Sequence, residues 1–288
     1  MADRALESLA PELGISNVAN FAFAGSTTGR TNIASIIAGQ DLGPLPGVLD
    51  QIDLFAGQLA ANGIPSANPN ALYVVWSGAN DFLALPQEPL AAIQSVFSSV
   101  DNVAQSVITL AGLGAKTIVV PNIPNLAITP FVATRNLTPQ AGIFSSLFNT
   151  LLKGTLGGLE SQLGIDIVQI DVFSLSSAIA QRPTEFGFTN ATTPLVNATG
   201  PVNPDDFVFA DDFHPTTAVH RLFSDTVKRS LTTPTPGRVL PTSGAIVREL
   251  VNSSGFRTAV GNFLNRLPAD LLPANGILAT ANSLLQSV

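Results

Sequence analysis

The chain has no cysteine, one methionine, one tryptophan and one tyrosine, and only 11% of its 288 residues are charged. The missing cysteine excludes a disulfide scaffold, a thiolate metal site and a cysteine nucleophile together. Basic side chains are scarce as well, 13 against 20 acidic ones, for a formal charge of −7 at pH 7. That balance argues against nucleic acid as a partner, because neutralising phosphates takes basic surface. No run reaches the roughly 18 uninterrupted apolar residues that a transmembrane helix needs. The first residues lack a basic region followed by an apolar run, so no signal peptide is predicted in the given chain. They form instead an amphipathic pattern with Leu6, Leu9 and Leu13 on one side. What is abundant is apolar and small polar: 45% hydrophobic residues, 23 glycines and 21 prolines. This is enough apolar material for one large core. A surface so sparsely charged points to a secreted or cell-surface protein.

Four short runs, residues 17–23, 72–76, 117–120 and 165–170, are predicted to be buried parallel strands. Helical patterns over 48–61, 90–113, 139–163 and 215–231 separate or follow them. That alternation predicts an α/β fold with helices on both faces of a parallel sheet. Chemistry in such sheets sits beyond the C-terminal ends of the strands. From residue 232 the breaker run Thr232-Thr233-Pro234-Thr235-Pro236-Gly237 divides the chain. Residues 1–231 are then one domain, and 232–288 a linker with an accessory helical tail that packs on the domain or on a partner. The tail carries four arginines against two acids, the rest nine basic against eighteen acidic side chains.

Three motifs fall at predicted strand ends. Asn20-Phe21-Ala22-Phe23-Ala24-Gly25-Ser26-Thr27-Thr28-Gly29 runs a strand into a small turn, where Gly25 lets the backbone approach a ligand and aim its N–H into a cleft. A plain tight turn is the alternative. Trp76-Ser77-Gly78-Ala79-Asn80-Asp81 offers the Asn80 carboxamide, two N–H donors on a short stem suited to a developing oxyanion. An Asn-Asp pair that merely caps the next segment is the alternative. Asp211-Asp212-Phe213-His214-Pro215 places a carboxylate three residues before a histidine. A turn can then set Asp211 on Nδ1–H and leave Nε2 as a general base. An acidic surface loop before a helix is the alternative there. Asp205, Asp206, Asp211 and Asp212 lack the alternating carboxylates and central glycine of a calcium loop. Two histidines without cysteine make a poor zinc set, so no metal is expected. His220 is predicted to be a solvated helical residue.

In this order the three blocks resemble the GDSL (SGNH-hydrolase) family of serine esterases and lipases. The likeness covers residues 1–231 and includes Pro46-Gly47-Val48-Leu49-Asp50-Gln51-Ile52. It implies a flavodoxin-like three-layer α/β/α sandwich, with Gly25 N–H and the Asn80 side chain as oxyanion donors. His214 would be the general base and Asp211 its orienting partner. The implied activity is hydrolysis of carboxylic esters, through an acyl-serine and without a cofactor, on an ester or lipid-like small molecule. The acyl pocket would come from loops 83–89, 122–137 and 182–204.

The family's Gly-Asp-Ser block, which carries its nucleophile at the end of the first strand, is absent. Ser8 falls within a predicted helix and Ser16 at the start of a strand. Ser26 and Ser77 are near the expected cleft, but each belongs to an oxyanion block and would face the substrate from the wrong side. In a sheet of order 2-1-3-4-5 the lost strand is central, between 17–23 and 72–76. Arg238-Val239-Leu240-Pro241 is a poor replacement, since proline removes a ladder hydrogen bond. Three explanations are open: a chain truncated ahead of Met1, a non-catalytic relative that keeps the cleft for binding or a surface role, or a rearranged site using Ser26 or Ser77.

Overall fold

Apolar, β-branched runs build the sheet. In the computed structural model, which describes residues 9–86 and 88–232, these are β1 (Leu72–Val74), β2 (Thr117–Pro121) and β3 (Asp166–Ile170), all parallel in the order β1-β2-β3. Tyr73 lies opposite Ile118, and Val119 opposite Val168. The helices are α1 (Ala34–Ala38), α2 (Val48–Ala61), α3 (Ala79–Leu83), α4 (Pro89–Leu113), α5 (Pro130–Thr134), α6 (Thr138–Leu163), α7 (Val172–Gln181) and α8 (Thr217–Thr232).

Period-two side-chain direction sorts the strands between two cores. Tyr73, Val75, Ile118, Val120 and Ile167 pack with α2, α4 and α6. Leu72, Val74, Trp76, Val119 and Ile170 pack with α7 and α8. Three layers, α/β/α, result, as the sequence predicts. Local chemistry starts the helices: Asp171 accepts from Ser174 N–H at the head of α7, and Pro139 stands in the first turn of α6.

The expected strand at 17–23 does not form. Its backbone belongs to no ladder, and Ile15, Val18 and Phe23 are 36%, 53% and 43% exposed. Among the described residues no strand lies beside it to complete a ladder. Phe21 meets α2 instead, edge-on to Phe55 at 5.5 Å, and Phe55 in turn reaches Tyr73 of β1 at 5.9 Å. Between this segment and β1 runs a groove of about 340 Å³. The strand predicted over 72–76 is shorter, although Val75 N–H still bonds to Val119 O at 2.9 Å. Of the amphipathic helix predicted from Ala2 to Ala10, the end is described: residues 9–12 are helical, and Leu9 and Leu13 pack with the α7–α8 core. Residues 1–8, with Ser8, and the tail from 233, with Arg238 to Pro241, lie outside the described residues.

Candidate active site

The loop after residue 23 turns on Gly25, whose φ is +77°. A Cβ there would lie 2.6 Å from Ala34 N and 2.7 Å from Asn32 Oδ1, so only glycine fits this turn. Asn32 ties the loop together, donating to Ala24 O at 2.9 Å and Pro46 O at 3.1 Å. From α3, Asn80 Nδ2 donates to Ser26 O at 2.9 Å. This bond fixes the carboxamide beside Gly25 and spends one of its two N–H groups.

Asp81 carries the same connection deeper. Its carboxylate is 8% exposed and accepts from Thr28 N–H at 3.0 Å, Thr28 Oγ1 at 2.7 Å and Ser99 Oγ at 2.7 Å. Burial pushes the Asp81 carboxyl up, and the hydrogen bonds from Thr28 and Ser99 offset only part of that push. Thus one buried acid joins the Gly25 loop, α3 and α4.

The second piece is the loop 210–214, closed by Ala210 N–H to His214 O at 2.8 Å. Asp211 Oδ1 accepts from the backbone N–H of Phe213 at 2.8 Å and of His214 at 2.7 Å. Its Oδ2 lies 2.7 Å from His214 Nδ1. With Nδ1–H so directed, Nε2 is left as the basic nitrogen. Burial alone would raise the Asp211 carboxyl, but hydrogen bonds from the His214 ring and the two backbone N–H groups hold it below the usual carboxylate range. Pro215 does not open the helix as predicted. It bridges to Phe209, and α8 begins at Thr217, because Thr216 is held by Val208 O and Phe207 O.

The structure therefore brings Gly25 to Asn80, and Asp211 to His214. Among the described residues no hydrogen bond joins one pair to the other. Loop 122–137 does meet the second piece. Phe131 N–H bonds to Asp212 O at 3.0 Å, and the Phe131 and Phe213 rings are 4.2 Å apart.

Ser26 is held by hydrogen bonds, and the Ser77 hydroxyl is buried. Ser26 Oγ is 2.8 Å from Phe23 O and Pro46 O and accepts from Gln51 Nε2 at 2.7 Å. Ser77 Oγ is buried and has no hydrogen-bond partner among the described residues. The next residue, Gly78, has φ +122°, and a Cβ there would strike Phe148 at 2.6 Å. The acidic residues near His214 diverge. Asp205 pairs with Arg221 at 2.9 Å, and Asp206 accepts from Asn203 at 3.1 Å. His220 departs from its prediction: it is 2% exposed and edge-on to Phe223, because the buried face of α8 takes in Val219, His220 and Phe223. Sequence reasoning did not single out Thr28, Gln51 or Ser99, and it weighed Asp81 only as a cap. Nothing local marks a carboxylate whose partner is 53 positions away.

A family model described as GDSL-like lipase/acylhydrolase matches residues 2–227. The chain is 30% identical to a Pseudomonas putida protein encoded in the trpE–trpG intergenic region, over 81% of this chain and 41% of that protein. To a GDSL esterase/lipase of Arabidopsis thaliana it is 28% identical, over 54% of this chain and 51% of the relative. To Lipase 1 of Photorhabdus luminescens it is 25% identical, over 83% and 48% respectively. The chain thus spans about half the length, or less, of these relatives.

Proposed function

The chain belongs to the GDSL-like lipase/acylhydrolase family, and from that membership we propose that its site hydrolyses carboxylic esters by a Ser-His-Asp mechanism, with the serine carried on a strand seated beside β1. The observation that carries this reading is the 2.7 Å contact of Asp211 Oδ2 with His214 Nδ1. It orients the imidazole so that Nε2 can take the serine proton as Oγ attacks the ester carbonyl carbon. The carbonyl electron pair moves onto oxygen, where Gly25 N–H and the second Asn80 N–H receive it. Collapse expels the alcohol, which takes the proton from Nε2 and leaves an acyl-serine. Water then repeats the sequence and releases the acid.

The substrate class is an acyl ester whose chain lies along the apolar loops near Phe131 and Phe213. Low charge supports a secreted or cell-surface setting. The hydrogen bonds of Ser26 and the burial of the Ser77 hydroxyl favour a second reading, a cleft that binds without catalysis.

One experiment separates them. A chain with a short apolar strand ending in Gly-Asp-Ser fused ahead of Met1 through a flexible linker is expected to react with a fluorophosphonate probe and to hydrolyse p-nitrophenyl butyrate. The chain as given leaves the probe unreacted. In the fused protein His214→Ala lowers kcat by about 10³-fold or more, and Asn80→Ala by about 10²–10³. A folded fused protein without labelling or turnover sinks the catalytic reading and leaves the binding one.

A further inference from the structure

An arginine is stacked beside the histidine loop with half of its donors unspent. Arg135 follows α5, and its guanidinium lies over the Phe131 ring, Cζ 4.0 Å from the centroid. Phe131 also packs on Phe213, with centroids 4.2 Å apart and 31° between the rings. One ring face has no room for both at such distances, so Arg135 and Phe213 take opposite faces of Phe131. The His214 ring comes next, 6.3 Å from that of Phe213. Arg135, Phe131, Phe213 and His214 thus form a short column, with its two ends exposed and the phenyl rings half-buried. The bond from Phe131 N–H to Asp212 O ties the column to the histidine loop.

Arg135 donates to Phe131 O at 3.3 Å and to Thr134 Oγ1 at 3.2 Å, both through Nη1. That much is an ordinary helix C-cap. A guanidinium carries five N–H donors in one plane, so the edge formed by Nε and Nη2 stays open. Arg30, Arg182 and Arg221 each meet a carboxylate. Among the described residues no carboxylate pairs with Arg135, that of Asp212 included. An open guanidinium edge matches a carboxylate in two parallel bonds, and stacking on a ring sets its plane beforehand.

We propose that Arg135 sets substrate choice by holding the far end of an acyl chain that terminates in a carboxylate. The chain runs along the edges of Phe213 and Phe131, with its methylenes against the rings and its anion on the Nε–Nη2 edge. The substrate class is therefore the monoester of a dicarboxylic acid with an apolar spacer. Because Phe131 stands between the guanidinium and Phe213, the spacer must cross a full ring, and a malonyl chain is too short. Asp211 and Asp212 on the same loop disfavour a bare anion, so ring contact and charge pairing have to act together. That the near end is an ester cleaved at His214 rests on the function proposed above; the carboxylate site does not.

The binding probe is suberic acid monomethyl ester, added to the full chain and followed by the chemical shifts of Arg135 Nε–H and the Phe131 amide. Saturable shifts of both are expected, with binding weakened about tenfold in Arg135→Gln. Arg135→Lys recovers only part of this, since it keeps the charge and loses the fork. Acetate, an anion without a chain, binds at least about tenfold more weakly than the monoester. In the fused protein, kcat/KM for mono-p-nitrophenyl suberate is compared with that for p-nitrophenyl octanoate. The ratio falls about tenfold in Arg135→Gln, and the loss lies in KM for the suberate ester.

Equal binding of the monoester by Arg135→Gln, or equal binding of acetate by the parent, overturns the proposal and leaves Arg135 as a cap of α5. Binding that needs Arg135, in a protein whose fused form neither labels nor turns over, leaves the carboxylate site standing and sinks the ester-hydrolase reading. Turnover of both esters in a ratio that Arg135→Gln does not alter does the reverse.

Discussion

Asp81 and Asp211 are carboxylates pushed in opposite directions by their surroundings. Burial raises Asp81, so the folded protein takes up its proton more readily than the unfolded chain. The stability contributed by protonated Asp81 is full below the ordinary carboxylate range and is lost as pH rises through the raised value. Asp211 is the converse case. Burial alone would raise it, but the His214 and backbone hydrogen bonds outweigh that. Its contribution is present above the ordinary range and lost as pH falls through the lowered value. Asp81→Asn is therefore expected to gain in Tm, relative to the parent, as pH rises above the ordinary carboxylate range. The Thr28 and Ser99 hydroxyls can reverse from donating to accepting, so the carboxamide keeps its partners. Asp211→Asn loses relative Tm over its lower window, by a small amount because the pair is half exposed. Thermal unfolding followed by circular dichroism from about pH 3 to 8 checks both slopes. A flat difference curve for Asp81→Asn counts against a raised carboxyl. The Asp211–His214 pair was legible in the sequence because three positions make one turn. The Asp81–Thr28 contact was not, since only tertiary folding brings those residues together.

Among elements, the loop from Gly25 to Gly29 depends most on a single residue. Alanine at Gly25 must adopt φ near +77° and place Cβ 2.6 Å from Ala34 N. The left-handed strain alone costs about 1–2 kcal/mol, and the backbone must move further to relieve the clash. Gly25→Ala is expected to lower Tm by several degrees, and in the fused protein to cut turnover more than substrate binding, because the Asn80–Ser26 bond that sets the carboxamide lies on the same loop. An unchanged kcat would mean that the loop takes no part in the reaction. The strands show where local reading stops. β2 and β3 formed where predicted, because each has a neighbour to complete its ladder. Residues 17–23 are comparably apolar yet stay outside any ladder, since strand formation depends on a partner that no local pattern reports. Pro215 is similar: its sequence context suited a helix start, but Thr216 is claimed by Phe207 and Val208.

At the scale of the whole molecule, one open edge couples binding to stability. Two cores, one with α2, α4 and α6 and one with α7 and α8, meet across a sheet three strands wide. Both contribute side chains to the groove beside β1. The strand fused ahead of Met1 for the activity test would add contacts to both at once. For a domain of this size, each kcal/mol it contributes shifts Tm by about 2–4 °C. The fused protein is therefore expected to unfold several degrees above the chain alone, in a single cooperative transition. Differential scanning calorimetry of the two proteins measures this directly. An unmoved midpoint would place the fused strand on the surface rather than in the ladder. Fused versions ending in serine and in alanine should share one midpoint, since the sheet responds to main-chain pairing and apolar burial and not to the residue that would do the chemistry.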